Sequence, residues 1–172
     1  MNRRRMLTLG AALVFARPAL AMAPERRLAL TNLHTGEQLN TVYWAEGHYI
    51  EQAVAELAQL LRDHRSGEAG PIATGLLDLL HGLAESLGAQ APLEVFSGYR
   101  SPATNEWLMR NGTGVSSTSL HTRGMAADIH LPGCELQDLR RAALGMGRGG
   151  VGYYPASGFV HVDIGRVRTW SG

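Results

Sequence analysis

Two histidines and an aspartate stand in this chain where metal ligands can lie on rigid elements. His121 and Asp128 belong to the segment Ser119-Leu-His-Thr-Arg-Gly-Met-Ala-Ala-Asp128, and His161 belongs to Phe159-Val-His-Val-Asp163. Two nitrogens and one carboxylate oxygen, with a fourth position left to water, are the ligand set of a catalytic zinc site. The spacing alone leaves an alternative, in which His121 and His161 are isolated polar residues of a loop and an exposed strand.

The elements around these residues are predicted to bring them together. Period-two patterns predict one strand over residues 125–131 and another over residues 158–164. Alternate residues of a strand share a face, so Asp128 and His161 can project into the same space. Gly124 allows the chain to bend just before the first of these strands.

The rest of the chain mixes strands and helices without a regular βαβ repeat. Further strands are predicted over residues 27–33, 38–44, 93–96 and 149–154, and helices over residues 46–63, 71–88 and 135–147 and from residue 102 onward. We therefore predict an α+β fold, with a small, mostly antiparallel sheet, helices packed on one side of it, and the zinc site on the sheet.

Length and composition fit one domain with a hydrophobic core. The chain has 172 residues, 45% of them hydrophobic, and we assign residues 24–172 to a single domain. The net charge is +1, and no basic stripe follows the N-terminal segment, so the sequence gives no case for nucleic-acid binding. The single cysteine, Cys134, cannot form an internal disulfide, and no neighbouring base marks it as a nucleophile.

Residues 1–23 have the pattern of an export signal. A start with three arginines precedes an apolar run over residues 7–20 and a small-x-small cleavage pattern at residues 19–21. The run is shorter than the roughly 18 apolar residues of a spanning helix, so we expect no stable membrane insertion after signal removal. Residues 2–7 also resemble a twin-arginine signal, with a Sec signal or an uncleaved anchor as alternatives. The predicted location is the bacterial periplasm.

The second half of the chain contains Ser97-Gly-Tyr-Arg-Ser101, the pattern Ser119-x-His-x-x-Gly-x-Ala-x-Asp128, and the later His161. Together these features resemble the signatures of the zinc D-alanyl-D-alanine peptidase family, which includes VanX-type dipeptidases and phage endolysins. The likeness covers about residues 27–170 and is closest to a branch of periplasmic murein endopeptidases. It implies a zinc enzyme that cuts peptide cross-links of peptidoglycan, with the 3–3 type between diaminopimelate residues as the expected substrate.

The resemblance also implies roles for individual residues. His121, Asp128 and His161 would hold the zinc ion, and Arg100 would bind a substrate carbonyl or carboxylate and the charge that grows on it. A guanidinium can stabilise the negative charge of a tetrahedral intermediate. A structural salt bridge is the alternative role for Arg100.

One position departs from the family pattern. Many members carry a glutamate or aspartate as general base three residues before the last histidine, and this chain has Gly158 there. The nearest carboxylate is Asp163, on the face that His161 uses, and we predict that it is the base or orients a ligand from behind. A purely structural Asp163 is an alternative, and His130 is a second candidate for the base.

Two other functions are possible, one because Gly158 replaces the usual acidic base and one because the family includes related activities. Without a base, the protein would be a non-catalytic peptidoglycan-binding protein with a structural zinc, and a carboxypeptidase that trims stem peptides is a variant within the enzyme class. Tyr99, Tyr153 and Tyr154 could line a cleft for peptide stems, but tyrosines at exposed edges are more often packing residues, so we do not assign them to the site.

Overall fold

The computed structural model describes residues 24–112 and 115–172, so the predicted export signal lies outside the described residues. Within them the elements are β1 (Arg26–Asn32), β2 (Gln38–Ala45), β3 (His48–Tyr49), α1 (Glu51–Leu60), α2 (Thr74–Ser86), β4 (Leu93–Ser97), α3 (Pro102–Arg110), a 3₁₀-helix (Leu120–Arg123), β5 (Ala126–His130), α4 (Leu136–Met146), β6 (Gly150–Tyr154), β7 (Phe159–Asp163) and β8 (Arg168–Ser171). None of these described helices is both long and apolar enough to cross a bilayer.

The strands form one mixed sheet in the order β3-β2-β1-β4-β5-β7-β6-β8. The pairs β1–β4 and β6–β8 are parallel, and the other neighbouring pairs are antiparallel. The α+β class and the mostly antiparallel pairing are therefore confirmed. The expectation of a small sheet is wrong, because the described sheet has eight strands and both of its edge strands, β3 and β8, were missed.

One face of the sheet carries the hydrophobic core. Buried side chains of the strands pack there against those of α1, α2 and α4, among them Leu30, Tyr43, Leu57, Leu76, Leu80, Val95, Ile129, Leu139 and Val160. No described residue of α3 belongs to this cluster. Because side chains alternate along a strand, the residues between the core positions of β5 and β7 face the opposite side. That second face is where the candidate site lies.

Two helices begin later than their apolar periodicity predicts. Glu46 and Gly47 adopt left-handed backbone, with φ of 53° and 86°, and this turn joins β2 to β3 before α1 begins at Glu51. The segment before α2 is extended at Ala73, whose N–H donates to the Gly124 carbonyl at 3.0 Å. In both places a contact outside the helix fixes its first residue.

Candidate metal centre

Strand register places four residues in one row across the site face of the sheet. Asp128 of β5 pairs with His161 of β7, which pairs in turn with Gly152 of β6. Gly152 then pairs with Trp170 of β8. Directly opposite residues in an antiparallel pair have Cβ atoms about 4.5–5.5 Å apart, so Asp128 and His161 stand side by side on this face.

His121 reaches the same place from the 3₁₀-helix, which ends at Gly124. Gly124 has a φ of 61°, and a Cβ on it would lie 1.8 Å from the Pro71 carbonyl oxygen, so only glycine fits this bend. The next residue, Met125, donates its N–H to the Leu120 carbonyl at 3.0 Å. The predicted bend at Gly124 is confirmed, and it places His121 beside β5.

The three predicted ligands converge. His161 Nδ1 lies 2.8 Å from Asp128 Oδ1, and His121 Nε2 lies 3.4 Å from the same oxygen and 3.2 Å from His161 Nδ1. One ligand atom from each residue falls within 4.8 Å of the others. All three residues are buried, with 9% exposure or less.

The other ring nitrogen of each histidine already has a partner. His121 Nδ1 lies 2.7 Å from the Gly98 carbonyl oxygen, which can only accept, so Nδ1 carries the proton and Nε2 keeps its lone pair. His161 Nε2 lies 3.1 Å from Asp163 Oδ2, and in the neutral tautomer that donates the Nε2 proton to Asp163, Nδ1 keeps the lone pair. In these tautomers both lone pairs belong to the atoms that face Asp128. Two imidazole nitrogens and a carboxylate oxygen, each histidine held from behind, fit a zinc ion.

Charge in this cluster also favours a cation. Burial alone would raise the pKa of Asp128, but His121 and His161 outweigh it and hold the pKa below its usual range. Burial would lower the pKa of His161, but its hydrogen bonds to Asp128 and Asp163 outweigh that effect and raise it. Asp128 is thus ionised, and its charge favours a positive partner, which is either a proton on His161 or a metal ion.

Asp163 lies behind the His161 ring, away from the Asp128 side. It is completely buried, and its two oxygens accept from His161 Nε2, from Arg168 at 2.7 and 3.1 Å, and from the backbone N–H groups of Gly150 and Gly165 at 3.0 and 2.8 Å. Burial would raise the pKa of Asp163, but these donors hold it below its usual range. The carboxylate is an ionised partner of His161 with every oxygen already engaged.

Arg100 shares a cavity with the three predicted ligands. The cavity has a volume of about 630 Å³, and Arg100, Tyr154, Phe159, Arg166, Arg168 and Trp170 also line it. The Nε atom of Arg100 is buried without a hydrogen-bond partner among the described residues, and no ion pair joins its guanidinium to any of them. Its backbone N–H donates to the His121 carbonyl at 3.1 Å, which ties the arginine loop to the ligand.

Neither the Gly158 position nor the second candidate base, His130, reaches this cavity. Gly158 lies in the β6–β7 turn with a φ of 76°, where its N–H donates to the Tyr154 carbonyl at 2.9 Å. His130 pairs instead with Glu94, at 2.9 Å, on the neighbouring strand β4. Among the described lining residues, Asp128 is the only carboxylate.

The lining residues that sequence reasoning missed include Arg168 and Trp170. These two lie on β8, whose four residues are too few for a convincing period-two pattern. Their spacing at i and i+2 was the one available signal, since it places both on one face of a strand. Of the three tyrosines, only Tyr154 lines the cavity, because Tyr99 is buried beside Glu68 and Tyr153 lies under Arg140.

The glycines of β6 make room on the sheet for the side chains of Arg168 and Trp170. A Cβ on Gly152 would come within 2.6 Å of the Trp170 indole, and one on Gly150 within 2.3 Å of the Arg168 guanidinium and 2.4 Å of Asp163. Glycine at both positions leaves the site face of β6 without side chains until Tyr154 at its end. The Trp170 ring packs there with its centroid 5.1 Å from that of His161.

Comparison with known proteins agrees with this geometry. The family model described as peptidoglycan L,D-endopeptidase MepK matches residues 20–170. The chain is 42% identical over 176 residues to the peptidoglycan L,D-endopeptidase MepK of Escherichia coli (strain K12), covering 98% of this chain and 97% of that protein. It is 35% identical over 179 residues to the probable peptidoglycan L,D-endopeptidase MepK of Haemophilus influenzae, covering 99% and 96%. The resemblance predicted from the motifs is confirmed, and the chain belongs to the peptidoglycan L,D-endopeptidase MepK family of M15 zinc peptidases.

Proposed function

We propose that this protein is a zinc-dependent endopeptidase that hydrolyses peptide cross-links of peptidoglycan in the bacterial periplasm. The observation that carries the proposal is the convergence of His121 Nε2, Asp128 Oδ1 and His161 Nδ1 in a cavity that Arg100 also lines. The names of the E. coli and H. influenzae relatives support peptidoglycan as the substrate. We extend the proposal to the 3–3 cross-links between diaminopimelate residues, and to residues 1–23 as the export signal.

The ligands and Arg100 have separate tasks in this function. Zinc held by His121, Asp128 and His161 would supply Lewis acidity, which polarises a scissile carbonyl and activates water for attack. Arg100 would bind the carbonyl oxygen or a nearby carboxylate of the stem peptide, and would stabilise the charge that develops there. Among the described residues, the buried Nε of Arg100 has no hydrogen-bond partner and its guanidinium has no ion pair, which supports this role over the structural salt bridge.

For Asp163 we propose the orienting role rather than that of general base. A base must reach the water that it deprotonates, whereas Asp163 is completely buried and separated from the cavity by the His161 ring. Its hydrogen bond to Nε2 keeps the His161 lone pair on Nδ1 and fixes the ring plane. This is the arrangement expected of a carboxylate that supports a metal ligand from behind.

A second candidate function is peptidoglycan binding without catalysis. It is favoured by the described cavity lining, in which Asp128 is the only carboxylate and no acid stands at Gly158. Such a protein would hold zinc as a structural ion and would bind sacculi without cutting them.

Digestion of purified cross-linked sacculi by the zinc-loaded protein, followed by mass spectrometry, tests both candidates. We expect cross-linked dimers to become monomers, with the reaction stopped by a chelator and absent in His161→Ala. The matched control is His48→Ala, which replaces an exposed histidine on edge strand β3 and should leave digestion unchanged.

The products also separate the alternatives. Bound sacculi with an unchanged dimer fraction, in protein shown to contain zinc, would establish the binding function instead. Loss of terminal residues from monomers, with dimers intact, would identify a carboxypeptidase. Wild-type-like release by His161→Ala would contradict the proposed metal centre.

A further inference from the structure

We propose that the Tyr154 hydroxyl is a catalytic hydrogen-bond donor of this centre, and that Trp170 fixes it in that role. The hydroxyl would donate to the substrate oxygen that becomes negatively charged when the scissile carbonyl is attacked. This role rests on the proposed endopeptidase function and adds to it a residue that the zinc ligand set does not include.

The fold places Tyr154 on the site face at the end of β6. Its neighbour Tyr153 packs against the hydrophobic core, and alternation along the strand turns Tyr154 to the opposite side. There it lines the same cavity as the three predicted ligands and Arg100. The Phe159 ring stacks on the Tyr154 ring with centroids 4.8 Å apart, and Phe96 packs on Phe159 at 5.5 Å. The phenol is therefore held by a small aromatic stack.

The hydrogen bonds of Tyr154 leave its proton available. Trp170 Nε1 lies 2.8 Å from the Tyr154 oxygen, and an indole nitrogen can only donate, so the phenol oxygen is the acceptor. No other described residue accepts a hydrogen bond from this hydroxyl. By contrast, the hydroxyls of Tyr43 and Tyr49 both donate to Asp78, at 2.9 and 2.8 Å. Tyr154 is thus the tyrosine whose O–H is free to donate into the cavity.

The indole itself is held in place by the residues that support His161. The Arg168 guanidinium lies over the Trp170 ring, 4.9 Å from its centroid, and the same guanidinium binds Asp163. Gly152 leaves the space in which the indole lies. A continuous set of contacts therefore runs from the back of His161 to the Tyr154 oxygen.

This arrangement suits the chemistry of peptide hydrolysis. Attack on the carbonyl places negative charge on its oxygen, and donors that are already oriented stabilise that charge without reorganisation. Arg100 provides one such group and carries a full charge. Tyr154 adds a neutral donor whose direction is set by the aromatic stack and by Trp170.

The test is the variant Tyr154→Phe, which removes only the hydroxyl. We expect kcat on a defined cross-linked muropeptide dimer to fall about 10²-fold to 10³-fold, the usual loss for one oxyanion donor, with KM and zinc content unchanged. Affinity for a phosphinate analogue of the tetrahedral intermediate, measured by calorimetry, should weaken by a similar factor. The matched control is Tyr153→Phe, on the core side of the same strand, which should keep wild-type kcat.

A second variant tests the positioning role independently. Trp170→Phe keeps a ring over Gly152 but removes the N–H, and we expect kcat to fall by about tenfold while zinc content is retained. Because both changes act through one hydroxyl, the double variant should be no slower than Tyr154→Phe alone.

The outcomes distinguish this inference from the function on which it rests. If the wild-type protein leaves the dimer intact, the endopeptidase function itself is wrong. If the wild type cleaves the dimer and Tyr154→Phe keeps both kcat and phosphinate affinity, the donor role is overturned. Additive losses in the double variant would show that Trp170 does not act through Tyr154.

Discussion

His161 has a carboxylate on each side of its ring, and the two carboxylates lie in different surroundings. Asp128 lies 2.8 Å from Nδ1 within the metal cluster, whereas Asp163 lies 3.1 Å from Nε2 behind it. The first is positioned to share a metal ion with the ring, and we propose that the second fixes which nitrogen carries the proton. The exposure of Asp163, which is zero, separates these roles more clearly than its distance does.

The variant Asp163→Asn tests the orienting role. It keeps the shape of the side chain but removes the charge that fixes the His161 tautomer, so we expect zinc affinity to fall about 10-fold to 100-fold. At saturating zinc, digestion of sacculi should recover to near the wild-type rate. Zinc titration and dimer cleavage at several zinc concentrations measure both effects.

The control for this variant is Asp138→Asn, which changes an exposed carboxylate paired with Arg141 on α4. It should alter neither zinc affinity nor cleavage. If instead Asp163→Asn stays inactive with zinc fully bound, Asp163 takes part in proton transfer and the general-base alternative is correct.

For individual residues, the sequence predicts which side chains belong to the site better than it predicts the role of each. His121, Asp128 and His161 could be chosen in advance because few side chains can bind zinc. Tyr154 and Trp170 could not, because aromatic residues more often pack in cores, and the role that we propose for them depends on a hydrogen bond between two strands. The orienting role that we propose for Asp163 rests on its burial and its donors, which the sequence does not show.

Strand β6 shows how one element prepares the site without supplying a ligand. Gly150 and Gly152 face the site, and their missing side chains make room for Arg168 and Trp170 of the neighbouring strand β8. The intervening Val151 is buried in the core on the other face. The Gly-Val-Gly sequence thus serves the core and the site at once.

The variant Gly152→Ala should therefore damage the site more than the fold. Its new Cβ would lie 2.6 Å from the Trp170 indole, so the ring must move and its hydrogen bond to Tyr154 should break. We expect dimer cleavage to fall by about tenfold or more, the loss expected when a catalytic group is misplaced. Tryptophan fluorescence and cleavage rates measure the two changes.

A matched control is Gly145→Ala in helix α4, where a Cβ meets nothing within 4 Å. This change should stabilise the protein by about 0.5–1 kcal/mol, because alanine favours a helix interior. Normal cleavage and an unmoved indole in Gly152→Ala would contradict the proposed link between β6 and the site.

Among the elements, those with a long regular pattern were predictable and those set by distant contacts were not. The strand over residues 93–96 and the helix from Pro102 are confirmed, with Ser101 Oγ accepting from the Thr104 N–H at the predicted cap. Strand β8 depends on pairing with β6, which no local pattern reveals. The first residue of α2 depends on the hydrogen bond from Ala73 to Gly124.

Across the whole molecule, the sheet separates the hydrophobic core from the candidate metal site. The core and three helices occupy one face, while the buried polar cluster of His121, Asp128, His161 and Asp163 occupies the other. Folding brings these polar groups together from distant parts of the chain, so an unfolded chain offers no comparable metal site. Zinc should therefore bind the folded state selectively and raise its stability.

Thermal unfolding with and without zinc tests this coupling. A ligand present at 100 times its Kd stabilises the folded state by about 2.7 kcal/mol, which corresponds to a rise in Tm of about 5–11 °C for a domain of this size. We expect that rise in the wild type, its reversal by a chelator, and its absence in His161→Ala, which lacks one of the three ligands. The exposed-histidine variant His48→Ala should respond like the wild type. An equal rise in Tm in His161→Ala would mean that zinc binds elsewhere on the protein. The proposal that His121, Asp128 and His161 bind the metal would then be wrong.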